Sequence, residues 1–69
     1  MESFGELIRK VRKEKGLTVQ ELSTISGITF IEINNLEKNI RKPNPRTVYK
    51  LSKALNYDYN KLFNLSLRK

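Results

Sequence analysis

The segment Thr18 to Ile33, TVQELSTISGITFIEI, leaves the chain few folds, because it writes two short helices end to end with a reversal forced between them. Thr18 stands three residues ahead of Glu21, and Thr29 stands three ahead of Glu32. In each Thr-x-x-Glu set the hydroxyl and the carboxylate satisfy backbone N–H groups that a helix start leaves without partners, so each predicts a capping box. Between the two sets lies Ser26-Gly27-Ile28, where glycine accepts the positive φ that so sharp a turn demands.

Two helices joined this way form a helix-turn-helix, a device that lays its second helix in the DNA major groove. Composition agrees with a single small domain over residues 1–69, in which Leu, Ile, Val and Phe supply 21 residues. That is enough for a helical core but a modest one, so support from a partner subunit is expected. Cysteine and histidine are both absent, which excludes disulfides, zinc fingers and thiolate or imidazole metal sites, along with the usual nucleophile and general base. The seven carboxylates are expected at caps and helix surfaces, so no enzyme activity, metal or cofactor is expected. No apolar run approaches the roughly 20 residues of a membrane span. Met1-Glu2-Ser3 lacks the basic start of a secretory signal, which points to the cytoplasm.

Net charge is +7 and unevenly spread. Residues 1–16 carry +2, residues 17–40 carry −2 and residues 41–69 carry +7. A basic balance suits an acidic polymer or an anionic membrane surface, but the apolar stripe of the basic first helix is needed for the core, so no membrane attachment is expected. The second helix of the pair is not itself basic, so a grip on phosphates has to come from its neighbours.

Five helices are predicted. The first starts at Ser3, with Glu6 three residues on, and buries Phe4, Leu7, Ile8 and Val11 at helical spacing before Gly16 ends it. The second and third run from about Val19 to Ser26 and from Phe30 to Lys38. Asn44-Pro45 opens a fourth that buries Val48, Leu51 and Leu55, and Asp58 caps a fifth carrying Tyr59, Leu62 and Phe63. With about 100° per residue and Phe30 at zero, Ile33, Leu36 and Ile40 fall at about 300°, about 240° and about 280°, the buried side of the third helix. Ile31 then points the other way, at about 100°, with Asn34 and Asn35 also outward. Two readings are open for Ile31. It is a single exposed apolar side chain of the common kind, or it meets thymine methyl groups, helped by Phe30, while an Asn pairs with adenine. For Glu32 the capping box is preferred over a contact to a cytosine amino group.

The chain resembles the Cro/C1-type repressor family, the xenobiotic-response-element-like helix-turn-helix regulators. The likeness is carried by Ile8 to Thr18, Glu21-Leu22-Ser23, Gly27-Ile28-Thr29, Ile33, Leu36 to Asn39, Pro43, Thr47, Leu51 to Asn56 and Leu62-Phe63. The resemblance implies an all-α, five-helix, lambda-repressor-like DNA-binding domain in which Ser23, Gly27 and Ile33 let the two helices cross closely. It also implies an ion pair between Arg12 and Glu37. Two positions depart from the pattern: Val19 stands where the family usually has a phosphate-holding Gln, with Gln20 one step along, and Phe30-Ile31 replaces residues that are more often polar.

The expected base contacts are Phe30, Ile31, Asn34 and Asn35. The expected phosphate contacts are Thr18, Gln20, Thr29, Lys38, Asn39, Arg41, Lys42 and Arg46. Arg46 sits in a first helical turn, where a cation is poorly placed for the helix dipole and an anionic backbone gives it a reason. Lys50, Lys53, Lys61, Arg68 and Lys69 read as solvated charge. Tyr57, Tyr59, Phe63, Leu65 and Leu67 exceed what a short last helix needs, so they either form a homodimer interface or cover the base of the bundle. Leu65-Ser66-Leu67 is open between a strand and a continuing helix. The expected function is a dimeric transcriptional repressor that holds an A·T-rich inverted repeat in double-stranded DNA. The alternatives are a module that binds a regulatory protein partner through Phe30 and Ile31, or the N-terminal DNA reader of a longer signal-sensing protein.

Overall fold

Each helix of the protein begins at a short polar side chain that accepts a hydrogen bond from its own first turn. Ser3, Thr18, Thr29 and Asn44 accept from the backbone N–H three residues on, and Asp58 accepts from Asn60 N–H. The computed structural model describes residues 2–67, and Arg68 and Lys69 lie outside them. The helices are α1 (Phe4–Glu14), α2 (Val19–Ser26), α3 (Phe30–Glu37), α4 (Pro45–Leu55) and α5 (Tyr59–Ser66), with no strand among the described residues. The described residues are therefore all-α, with the five helices that the resemblance implies.

The core forms where the apolar stripes meet. Phe4, Leu7, Ile8 and Val11 of α1 pack with Leu22, Ile28, Ile33 and Leu36, with Val48, Leu51 and Leu55 of α4, and with Leu62 of α5. Helix α3 lies against α1 and α2, while α4 lies against α2 and α5. The packing thus grips α3 from one side and leaves the other side to solvent.

Two expectations about α3 need correction. Its capping box at Thr29 is only half made: the Thr29 hydroxyl accepts from Glu32 N–H, but the Glu32 carboxylate accepts from the Thr47 hydroxyl of α4 at 3.4 Å instead of returning to the Thr29 backbone. Ile40, assigned to the buried side, is 70% exposed. The helical wheel stops applying at Asn39, whose φ of +59° ends the helix and turns Ile40 out of register. The Asn35 carbonyl then accepts from both Ile40 N–H and Arg41 N–H, folding the loop under the last turn. At the other end of the chain, Leu65 and Ser66 continue α5 and Leu67 is its C-cap, so the helical alternative holds for that segment.

Candidate nucleic-acid interface

The turn between α2 and α3 is locked by local bonds. Gly27 takes the left-handed conformation at φ +74°, the Ser23 hydroxyl donates to the Ile28 carbonyl at 2.6 Å, and Ile28 N–H donates to the Ser26 hydroxyl at 3.2 Å. A side chain at position 27 would meet open space but would be strained by the positive φ, so the constraint there is on backbone conformation rather than on room.

The flank of α3 that faces α1 is held by three devices. Arg12 and Glu37 form a two-pronged pair, Nε to Oε2 at 2.7 Å and Nη2 to Oε1 at 3.1 Å, with side chains only 9% and 7% exposed. The Arg12 Nη1 group also donates to the Leu17 carbonyl at 2.7 Å, so the guanidinium ties together α1, the α1–α2 loop and α3. Gly5 sits against the end of α3 so closely that a methyl there would collide with the Leu36 and Glu37 carbonyl oxygens, the latter 2.5 Å away. The Asn39 amide completes the seam, its oxygen accepting from Gly5 N–H at 3.1 Å and its nitrogen donating to the Ser3 hydroxyl at 2.9 Å. Ser3 N–H donates to Glu6 at 2.8 Å. That bond, with the Ser3 hydroxyl, holds the Glu6 carboxyl below its ordinary value.

The opposite flank is bare. Ile31 is 71% exposed and Phe30 is 43% exposed. Asn35 is half-buried. Asn34 is half-buried too, but it lines a cleft of about 380 Å³ with Arg9, Arg12, Val19, Glu37 and Lys38. It therefore stands between Ile31, one turn before it on the same helix, and the residues of α1 that line the cleft. Arg9 was not singled out from sequence, because only the packing of α1 against α3 brings it to the cleft that Lys38 also lines.

Of the residues expected to hold phosphates, Thr18, Gln20, Thr29, Lys38, Arg41, Lys42 and Arg46 are all exposed. The Thr18 and Thr29 hydroxyls already accept from their own helices. Asn39 differs from the rest, since both ends of its amide are engaged with α1.

On the far side, Tyr57, Tyr59, Phe63 and Leu65 are partly buried and pack against the core, while Leu67 is 62% exposed. Tyr59 stacks on Phe63 with ring centres 5.6 Å apart, and Tyr49 of α4 meets Tyr59 edge-on at 6.4 Å. Tyr49 escaped the sequence reading. Its signal was an aromatic ring next to Val48 but off the Val48, Leu51 and Leu55 stripe. Among the described residues no group of three or more carboxylates gathers as a metal site, and no helix is long and apolar enough to cross a membrane.

A locked turn, a second helix held from behind and a bared front define a helix-turn-helix domain. Consistent with that geometry, the helix-turn-helix family model matches residues 8–62. The chain is 44% identical over 63 residues to the HTH-type transcriptional repressor RghR of Bacillus subtilis, a match covering 90% of this chain and 47% of that protein. It is 36% identical over 63 residues to the uncharacterized HTH-type transcriptional regulator RghRB of the same organism, covering 90% of this chain and 45% of that one. The chain thus spans about half the length of these two relatives. Its fold is also similar to the crystal structure of an HTH_3 family transcriptional regulator from Vibrio cholerae, with a TM-score of 0.80 at 18% identity over 88% of this chain and 34% of the other. The chain belongs to the Cro/C1-type helix-turn-helix family, a family of DNA-binding transcriptional regulators and not of enzymes.

Proposed function

We propose that this protein represses transcription as a homodimer by seating α3 in the major groove at each half of an A·T-rich inverted repeat. The observation that carries this reading is Ile31, the most exposed large apolar side chain among the described residues, at the start of a helix held firmly from behind. Such a side chain suits contact with thymine methyl groups, and the neighbouring Asn35 amide suits adenine. Asn34, which lines the cleft with Arg9 and Lys38, reaches a base edge from that side.

Lys38, Arg41, Lys42 and Arg46 supply the grip on phosphates, with Thr18, Gln20 and Thr29 at the starts of α2 and α3, where helix N–H groups favour anions. Asn39 acts from behind, through α1. For dimerisation the supporting feature is the ladder Tyr49, Tyr59 and Phe63, continued by exposed Leu67. Tyr57 and Leu65 contribute mainly by packing against the core. Two recognition helices one DNA turn apart convert modest single contacts into useful affinity. The repressor role is supported by the name of the RghR relative. The cytoplasm, where bacterial DNA is reached directly, is the corresponding location.

The test is selection of bound fragments from randomised duplexes, with mass measured across protein concentrations. The expected result is a symmetric A·T-rich site bound by two chains. If a dimer neutralises about eight phosphates, log K should fall against log salt with a slope of roughly −7. A flat salt dependence would overturn the reading.

A further inference from the structure

The groove end of α3 carries fewer polar readers than its sequence suggests. The Thr29 hydroxyl accepts from Glu32 N–H, and the Glu32 carboxylate accepts from the Thr47 hydroxyl. The nearest neighbours of Ile31 along the open side are Phe30 and two half-buried amides, Asn34 and Asn35. Ile31 has no group that tells a hydrogen-bond donor from an acceptor. In the major groove the apolar feature a base can offer it is a methyl on pyrimidine C5.

We propose that Ile31, flanked by Phe30, reads the C5 methyl of a pyrimidine irrespective of the base that bears it, so that 5-methylcytosine substitutes for thymine at that step. This deepens the DNA-binding reading above and rests on it. Thymine and 5-methylcytosine carry the methyl on the same ring atom and differ at C4, where one presents a carbonyl and the other an amino group. Separating them requires a group that only accepts or only donates at C4; the Asn34 and Asn35 amides each carry both a donor and an acceptor, and the adjacent carboxylate, Glu32, accepts from the Thr47 hydroxyl of α4. Binding at that step therefore responds to cytosine methylation.

The experiment uses a duplex recovered by selection and changes one position at a time. Deoxyuridine in place of thymidine removes the methyl alone. The expected result is a loss of about four-fold at the step facing Ile31, the effect of exposing one buried methyl. Placing C·G at that step should weaken binding, and 5-methylation of that cytosine should restore about the same four-fold. In Ile31→Ala, which changes only an exposed side chain, the ratio between thymidine and deoxyuridine duplexes should fall to about one. Deoxyuridine equal to thymidine at every position, or 5-methylcytosine no better than cytosine, overturns the inference while leaving DNA binding intact. Failure of the unaltered protein to bind any duplex overturns the underlying reading instead.

Discussion

The two flanks of α3 are built on opposite terms. Toward α1 the helix is fixed by the buried Arg12–Glu37 pair, by the glycine contact at position 5 and by the exposed Asn39 amide, all specific in geometry. Toward solvent it presents Ile31, largely uncovered, and Phe30, about half covered. The contrast shows that positional accuracy in so small a domain is concentrated behind the reading surface. A helix of 8 residues cannot hold its own direction in water, so its aim depends on what grips its back.

Removing Glu37 breaks this contrast most severely. Glu37→Ala leaves the Arg12 guanidinium buried without its partner, and a loss of about 3–5 kcal/mol is expected in denaturant unfolding. Gly5→Ala drives a methyl into the α3 carbonyls and should cost about 2–3 kcal/mol, lowering the melting temperature by roughly 10 °C or more. Ile31→Ala attacks the other flank. Its stability should stay within about 0.5 kcal/mol, whereas preference at one base step should weaken by about 1 kcal/mol. A melting shift as large as that of Gly5→Ala would erase the distinction between the flanks.

Charge changes should be subtler. Arg41→Ala or Lys42→Ala should weaken all duplexes alike and reduce the salt slope by about 1, without altering the selected sequence. The smallest effect concerns pH and the start of α1. Because the folded state holds the Glu6 carboxyl below its ordinary value, its contribution is present above the ordinary glutamate range and is lost as pH falls through the lowered value. Glu6→Gln should remove that part of the acid dependence in thermal melts.

Much of this architecture was legible because each helix carries its own start signal and a stripe of apolar residues. Ser3, Thr18, Thr29, Asn44 and Asp58 are N-caps, and Phe4, Leu7, Ile8, Val11, Val48, Leu51 and Leu55 are buried as their spacing requires. Misreadings fall at the end of a helix and where a residue's role depends on a distant segment. Ile40 looked buried only while the helix was extended past Asn39. Glu32 looked like a capping residue until α4 brought Thr47 within reach.

Gly5 gave no sequence signal, because its neighbours in space are the carbonyls of residues more than thirty positions away. Local chemistry alone determined five capped helices, the forced turn at Gly27 and a third helix with an isoleucine off its apolar side. Each depends on hydrogen bonds and burial periodicity within a few residues. The tertiary structure alone decided which polar side chains stay available beside that isoleucine, because availability depends on what distant segments pack and bond against it.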